Sequence, residues 1–204
     1  MNDTLLSFSD KANGDRYEVV TELGKESGVG LVYLARRLVY LPGLEDPVET
    51  AVALKVIKTG MESQATLARF EAEGQILTKL NHPNIARIHK MGEFESGQPF
   101  IAMEFVDGMP LTEFCDAKAL PLRQRLELFV TLCGAVHHAH QKGVIHRDLH
   151  PANLLVTATG DGAPLLKVID FGIASAEPEL DITQASKEKT TTRVTGVPQY
   201  MSPE

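Results

Sequence analysis

The pattern of apolar and polar residues divides the chain into two parts. From residue 17 to residue 106, short runs that alternate or are wholly apolar are separated by turns, which is typical of β-strands. After Gly108 the apolar positions follow a helical spacing over 121–141, and only short apolar runs come later. The pattern predicts an α+β fold in two lobes, with a boundary near residues 106–110.

The strands and helices that this pattern predicts differ in length along the chain. The predicted strands are 17–23, 31–37, 51–57, 85–94, 99–106, 154–156 and 166–169. One helix is predicted over 63–80 and a second over 121–141, where Gly143 ends it. The apolar stripe of the second helix is expected to be buried; it comprises Leu122, Leu126, Phe129, Cys133 and Val136.

Polar stretches fill the rest of the chain. Residues 1–15 are interpreted as a loose leader, 38–50 as a long loop and 174–195 as a polar, mobile segment. The predicted organisation is therefore a leader over 1–15, a first lobe over 16–106 and a second lobe over 107–204.

Charge and composition exclude several classes of function. The net charge of −7 argues against a broad nucleic-acid surface, which needs a basic face. We find no apolar run long enough to span a bilayer and no signal peptide, which predicts a cytoplasmic location for this segment. Cys115 and Cys133 have no metal-ligand spacing and are interpreted as free thiols in a reducing compartment.

Two charged residues fall on apolar faces of predicted elements. Lys55 interrupts the apolar strand 51–57, and Glu73 lies between Phe70 and Leu77 on the stripe of the first helix. A buried charge needs an opposite charge, so the two together indicate an ion pair. The alternative, that each side chain extends to the surface, is favoured for either residue alone.

A turn with three glycines joins the first two predicted strands. Gly24, Gly28 and Gly30 let backbone N–H groups approach phosphate oxygens without hindrance from a Cβ atom. By itself this signal is weak, because a glycine-rich hairpin turn is usually only a turn.

The strongest chemical signal is the segment HRDLHPAN, residues 146–153. Asp148 can accept or orient a hydroxyl proton, and an Asn153 oxygen can ligate a divalent cation. The segment KVIDFG, 167–172, then places Asp170 directly after an apolar strand, where it offers a second metal ligand. Each acidic or amide residue alone is common in turns; their order along the chain is the evidence.

These motifs resemble the signature set of protein kinases, in the same order and context. Over about residues 16–204 the chain is similar to bacterial Hanks-type serine/threonine kinases, including the relatives found in planctomycete-type bacteria. The segments RFEAE (69–73), LNHPNIARI (80–88), HAHQKGVIHRDL (138–149) and KVIDFGIA (167–174) resemble that group closely.

The resemblance implies a role for each matching residue. Lys55 is expected to hold the ATP phosphates and to pair with Glu73, Asp148 to be the catalytic carboxylate, and Asn153 and Asp170 to hold Mg²⁺, with Mn²⁺ as an alternative. His150 is placed in the catalytic set as well. The residues expected to bind the nucleotide are Leu23, Gly24, Gly28, Gly30, Val32, Ala53, Lys55, Met103, Glu104, Val106 and Leu155.

The resemblance also implies partners and regulation. The expected substrates are ATP and proteins with serine or threonine hydroxyls, with no nucleic acid, and a dimer for phosphorylation in trans stays open. Arg147 is expected to contact a phosphate on the activation segment, whose candidate sites are Thr190, Thr191, Thr192 and Thr195. Residues 197–204 match the end of that segment. In the family several helices follow it, so helix 121–141 is expected to lose part of its partner if the chain is a truncated kinase.

Three departures from the family pattern keep alternatives open. The glycine turn matches the family spacing only with slippage, His150 stands where these kinases have lysine, and Val197 stands where they have threonine. These changes favour reduced transfer, and a nucleotide-binding pseudokinase is the second hypothesis. His150 also resembles the motif of small-molecule kinases, a less favoured hypothesis because Arg147 and the ending at 200–204 are of the protein-kinase type.

Overall fold

The computed structural model describes residues 6–23, 30–57, 74–160, 162–171 and 198–200. Its strands are β1 (Ser7–Ser9), β2 (Arg16–Glu22), β3 (Gly30–Val39), β4 (Val48–Ile57), β5 (Ile88–Glu93), β6 (Pro99–Glu104), β7 (Met109–Pro110), β8 (Leu154–Ala158) and β9 (Pro164–Val168). Its helices are α1 (Leu111–Ala117) and α2 (Leu122–Gln141), with 3₁₀ turns at Pro151–Asn153 and Pro198–Tyr200. The α+β class is confirmed.

The first part of the chain is a six-stranded antiparallel sheet with the order β1-β2-β3-β4-β6-β5. Its longest pairing is between β3 and β4, which run in register from Gly30 opposite Ile57 to Val39 opposite Val48. The loop predicted over 38–50 is therefore wrong at both ends, and the strands leave only 40–47 between them. Leu38 is buried, so the hydrophobic effect extends β3 into a stretch that its neighbouring prolines marked as loop.

The loose leader predicted over residues 1–15 is wrong for residues 7–15. Strand β1 pairs with β2, and Asp10 then forms a bridge with Phe94, just beyond β5 at the other edge of the sheet. Backbone bonds from Lys11 N–H to the Glu93 carbonyl and from Glu95 N–H to the Ser9 carbonyl, both 3.0 Å, support that bridge. The sheet thus closes on itself at this end.

The closing segment is fixed by charge as well as by backbone bonds. Asp10 is buried, and its carboxylate lies 2.5 Å from the Lys90 ammonium. Asp15, also buried, accepts hydrogen bonds from the Arg37 guanidinium. Leaving either carboxylate unpaired in the interior would be strongly unfavourable, so the polar leader has fixed partners.

Aromatic rings fill the interior of the closed sheet. Phe94 stacks between Phe8 and Phe100, with ring centroids 4.6 and 4.3 Å away, and Tyr17 packs against Phe100 at 5.1 Å. Burial raises the pKa of the Tyr17 hydroxyl far above its usual value, because the phenolate would be poorly solvated there. This cluster lies on one face of the sheet.

A second hydrophobic cluster joins the sheet to the rest of the chain. It combines Ile57, Ile101 and Met103 of the sheet with Leu132 of α2 and Val168 of β9. The second part of the chain contains both helices and the small sheet β7-β8-β9. Ile85 also pairs directly with Val168 in a parallel bridge, so the two parts share one core across the cleft between them.

Helix α2 buries a different face from the one that the sequence predicts. Leu132, Ala135 and Ala139 are buried, whereas the predicted stripe is exposed over Leu122, Leu126, Phe129 and Cys133, and only Val136 is half-buried. The helix is apolar on more than one face, so its hydrophobic spacing does not determine which face contacts the core.

Of the helix predicted over 63–80, the described part shows helical residues at 74–77 and a turn after them; residues 63–73 lie outside the description. In the described ranges, no helix combines the length and apolar character needed to cross a membrane.

The closing ion pair gives a stability prediction. We expect Asp10→Ala to lower the free energy of unfolding by about 2–4 kcal/mol, because Lys90 would keep a largely buried charge without its carboxylate. Lys11→Ala removes the exposed pair with Glu93 beside it and is expected to change stability by less than about 1 kcal/mol. Urea unfolding of both variants measures the difference, and equal losses would contradict the closing role of Asp10.

Candidate active site

The predicted site residues come together in the cleft between the two sheets. The Lys55 ammonium on β4 lies 3.7 Å from Asp170 Oδ1, which follows β9. Ile169 N–H, next to Asp170, donates to the Asn153 carbonyl at 3.0 Å. Asn153 Nδ2 in turn donates to the Asp148 carbonyl at 2.8 Å. A continuous series of contacts therefore joins the sheet lysine to the loop aspartate.

Lys55 is held inside the cleft by its strand. It pairs in register with Val32 of β3 on one side and Ile101 of β6 on the other, and its side chain is 7% exposed. The prediction that it is removed from water is confirmed by this burial. Asp170 is its anionic partner among the described residues, while the expected partner Glu73 lies outside them.

The loop that contains Asp148 ends in a rigid turn. Pro151 is at the first position of the 3₁₀ turn Pro151–Asn153, where its fixed φ is compatible with helical geometry. Asn153 is buried, and its amide nitrogen contacts both the Asp148 carbonyl and His150 Nε2, the latter at 3.1 Å. The two N–H groups of the amide thus fix the loop on either side.

His146 connects this loop to the strand beneath it. Its Nδ1 accepts from Asp148 N–H at 3.3 Å, so Nε2 bears the proton and donates to the Ile169 carbonyl at 2.9 Å. The ring is buried and packs against Phe171 at a centroid distance of 4.6 Å. Burial lowers the pKa of His146, and both hydrogen bonds fit the neutral imidazole.

The Asp148 carboxylate is only partly engaged. Its Oδ1 is buried and has no hydrogen-bond partner within the described part of the chain, while Oδ2 lies 3.5 Å from His150 Nε2. A buried carboxylate oxygen without a donor is energetically unfavourable unless a ligand supplies one. A hydroxyl group would be such a donor.

Backbone strain is concentrated at the same loop and strand end. Arg147 has φ of 65° and Asp170 has φ of 59°, the left-handed region that residues with a Cβ rarely adopt. Each costs about 1 kcal/mol or more and persists because neighbouring contacts hold it in place. One of the two strained residues, Arg147, directly precedes Asp148, and the other is Asp170 itself, so the strained backbone coincides with both carboxylates of the site.

The residues expected around adenine come from both sheets that border the cleft. Met103 is buried opposite Ala53 in the register of β4 and β6, and Glu104 ends β6, with half-buried Val106 after it. Leu155 is on β8 opposite Lys167, and Val32 is on β3. Gly30 leaves no room for a Cβ, which would overlap the Val56 carbonyl oxygen. Leu23 N–H donates to the Val32 carbonyl at 2.7 Å, which continues the β2–β3 pairing to the start of the turn.

Several predicted residues lie outside the described ranges. They are Gly24, Gly28, Glu73, Thr190, Thr191, Thr192, Thr195 and Val197. Their proposed roles stay predictions from the sequence.

Sequence reasoning missed one charged residue near this site. Lys167 on β9 is buried, and its ammonium lies 2.7 and 3.0 Å from the two carboxylate oxygens of Glu104. The signal was present, because Lys167 interrupts an apolar strand in the same way as Lys55 does. Its partner could not be identified, since Glu104 is 63 residues away.

The donor atoms of the site fit a hard divalent cation. Such ions prefer carboxylate and amide oxygens, and Asp170 presents its carboxylate while Asn153 uses its amide nitrogen for the loop and has its amide oxygen to offer. The described residues contain no group of three or more histidine, cysteine or acidic side chains that could hold a metal ion by themselves.

Comparison with known proteins identifies the class. Residues 29–204 match the family described as the protein kinase domain, and this match extends over most of the chain. The chain therefore belongs to the protein kinase domain family. The divalent cation and nucleotide chemistry expected at the site are general properties of that family.

The curated relatives are bacterial. The chain is 38% identical over 198 residues to the probable serine/threonine-protein kinase PknB of Lactococcus lactis, covering 95% of this chain and 28% of that protein. It is 35% identical over 196 residues to the serine/threonine-protein kinase pkn3 of Myxococcus xanthus, covering 93% of this chain and 33% of that protein. The resemblance to bacterial Hanks-type kinases is confirmed, and the chain spans about a third or less of these relatives.

A solved structure supports the fold. The crystal structure of the Mycobacterium tuberculosis PknI kinase domain matches with a TM-score of 0.60 and 34% identity, covering 85% of this chain and 64% of that chain. The predicted two-lobed kinase fold is confirmed by this similarity, which extends over 64% of the solved kinase domain.

The metal assignment can be tested by binding alone. We expect Mg²⁺ to strengthen ADP binding to the wild type and to have at least about tenfold less effect on Asp170→Ala, because that variant lacks the carboxylate expected to bind the cation. Isothermal titration calorimetry with and without Mg²⁺ gives both affinities. Glu93→Ala, which alters an exposed carboxylate paired with Lys11, is the matched control and should retain the full Mg²⁺ effect.

Proposed function

We propose that this chain is the nucleotide-binding and catalytic part of a protein serine/threonine kinase that transfers the γ-phosphoryl group of Mg·ATP to serine or threonine hydroxyls. The observation on which the proposal rests is the single series of contacts from Lys55 through Asp170 and Asn153 to Asp148. The names of the bacterial relatives, serine/threonine-protein kinases, support the choice of acceptor.

In this proposal each residue acts by position and charge. Lys55 contacts the phosphates of ATP, and Asp148 Oδ1 accepts a hydrogen bond from the substrate hydroxyl. The hydroxyl oxygen forms a bond to the γ-phosphorus while the bond from that phosphorus to the β,γ-bridging oxygen breaks, and the hydroxyl proton passes to Asp148. Asn153 and Asp170 would hold Mg²⁺, which when bound neutralises charge on the phosphates.

The neighbourhood of His150 makes transfer by this chain slower than its relatives would suggest. His150 Nε2 lies 3.1 Å from Asn153 Nδ2 and 3.5 Å from Asp148 Oδ2, so the short imidazole side chain is engaged within the loop itself. The centroid of the His150 ring also lies 6.4 Å from the centroid of the Tyr200 ring. An imidazole held in this way is a weaker electrostatic partner for a phosphate than the lysine of related kinases.

The cellular setting is part of the proposal. We place this segment in the cytoplasm, where ATP is available, and Cys115 and Cys133 are both free thiols, as a reducing compartment requires. Phosphorylation of Thr190, Thr191, Thr192 or Thr195, in trans within a dimer, would add a phosphate for Arg147 to contact.

Intact-mass spectrometry before and after incubation with Mg·ATP tests transfer directly. We expect the wild-type chain to gain phosphate and Asp148→Asn to gain at least about a hundredfold less, because the amide cannot take the hydroxyl proton. Mapping the phosphates by peptide mass tests the threonine cluster. Equal phosphate gain in both proteins would contradict the role of Asp148.

A lysine at position 150 should raise activity if the chain is a kinase. We expect His150→Lys to increase the rate of phosphotransfer by about tenfold, because a fixed positive charge would face the transferred phosphate. His140→Lys, an exposed change near the end of α2, is the matched control and should leave the rate unchanged.

The second candidate function is a nucleotide-binding pseudokinase, and the observation that favours it is the same contact of His150 with Asn153 and Asp148, which engages within the loop the residue that stands where related kinases have lysine. The two candidates differ in one outcome. Good binding of ATP together with no transfer by the wild type, by His150→Lys or by His150→Lys combined with Val197→Thr would favour the pseudokinase over the kinase.

A further inference from the structure

An ion pair between buried Lys167 and partly exposed Glu104 joins the small sheet to the end of β6. Lys167 on β9 is 8% exposed, and both carboxylate oxygens of Glu104 lie within 3.0 Å of its ammonium. Glu104 is the last residue of β6, at the start of the segment that leads from the six-stranded sheet to β7. The pair therefore connects the second part of the chain to the end of the first.

Glu104 is fixed from behind through its backbone as well as its side chain. Its N–H donates to the Arg87 carbonyl at 2.8 Å, and its carboxylate accepts from Arg87 N–H at 3.1 Å. With Lys167 on the same carboxylate, the residue has hydrogen bonds on its backbone nitrogen and on both carboxylate oxygens. Neither its N–H group nor its carboxylate can move without breaking these bonds.

Lys167 is also placed between two groups of the proposed site. In the register of β8 and β9 it is opposite Leu155, which is expected to contact adenine, and it is three residues before Asp170. A shift of β9 would therefore be expected to disturb Leu155, at the adenine end of the bound nucleotide, and Asp170, at its phosphate end. The ion pair holds the strand to the segment at 104–106.

Stability alone is a poor explanation for the pair. Holding two long side chains in one arrangement costs conformational entropy, and an ion pair whose carboxylate is still about a third exposed contributes little net stability. What such a pair supplies is a fixed geometry, because the two charges tolerate few arrangements. The geometry fixed here is that of the backbone expected to face adenine.

We propose that Lys167 is a positioning residue for nucleotide recognition, acting through Glu104 to hold the backbone of residues 104–106 in the orientation that binds the 6-amino side of adenine. This inference rests on the proposed function, in which that backbone receives the purine. Lys167 itself does not touch the nucleotide. Its effect falls on the hydrogen bond between the adenine amino group and a backbone carbonyl, and leaves phosphate contacts at Lys55 unchanged.

The test compares two nucleotides that differ at the purine 6-position. ATP has an amino group there, whereas inosine triphosphate has a carbonyl that cannot donate to a backbone oxygen. We expect Lys167→Met to weaken Mg·ATP binding by about tenfold, the loss of one well-placed hydrogen bond, and to change Mg·inosine triphosphate binding by less than about twofold. Lys167→Arg, which keeps the charge, should recover most of the ATP affinity.

The matched control is Lys90→Met. Lys90 is likewise a sheet lysine paired with a buried carboxylate, Asp10, but it lies at the closing edge of the sheet. Its loss is expected to lower the melting temperature at least as much as Lys167→Met does, while the ratio of ATP to inosine triphosphate affinity stays at the wild-type value. A stability effect is thereby separated from a positioning effect.

Each outcome has a definite meaning when affinities are measured by calorimetry below the melting temperature. A reduced preference for ATP in Lys167→Met alone supports the inference, and an unchanged preference, or equal weakening of both nucleotides, overturns it. If Lys167→Met does not fold, Glu104→Gln replaces it, with an expected loss of ATP preference of about threefold. A wild-type chain that binds neither nucleotide would reject the proposed function itself, a result distinct from failure of the inference.

Discussion

The arrangement of the catalytic loop depends on one uncharged imidazole. His146 accepts from the backbone of Asp148 through one nitrogen and donates to the backbone of Ile169 through the other. Only the neutral ring can do both, and burial keeps it neutral by making the charged form unfavourable. One of the bonded residues is Asp148 and the other, Ile169, directly precedes Asp170, so a single ring ties together the backbone segments that present both carboxylates of the site.

Other features of the structure work in the same direction. The left-handed backbone at Arg147 and Asp170 would relax if the loop were free, and Asn153 and His146 prevent this from opposite sides. The core beneath is shared by both parts of the chain, so the loop rests on a surface to which the large sheet also contributes. The site is thus built from strained and buried polar elements on an apolar base, which is a common arrangement where reacting groups need fixed positions.

Local motifs made much of this predictable from the sequence. The spacing of residues in the segments around Asp148 and Asp170 is enough to predict their chemistry. Lys55 stands out because it interrupts an apolar strand. The contacts among these residues were not predictable, because they depend on the mutual placement of elements far apart in the chain. The same reason explains the error over residues 7–15, which are polar and obtain their structure from Phe94 and Lys90 at a distance.

Helix α2 shows a different limit. Its apolar residues occur on more than one face, and the spacing of apolar residues alone cannot tell which of two apolar faces will be buried. The small buried residues Ala135 and Ala139 lie on the face that packs against the core. Small side chains allow a close approach, and a hydrophobicity pattern does not record side-chain size. Lys167 was missed because the sequence gives the position of a buried charge but not the identity of its partner.

The closure of the six-stranded sheet has a consequence for how the chain folds. Pairing of β1 with β2 is local, but the bonds from Lys11 to Glu93 join residues 82 positions apart. Bringing such distant segments together requires most of the intervening chain to be ordered first, since the entropy of loop closure opposes early contact. Until the segment after β1 pairs with the end of β5, both outer strands of the sheet expose unpaired backbone groups to other chains. A nascent or partly unfolded molecule is therefore most vulnerable to strand exchange at these two strands.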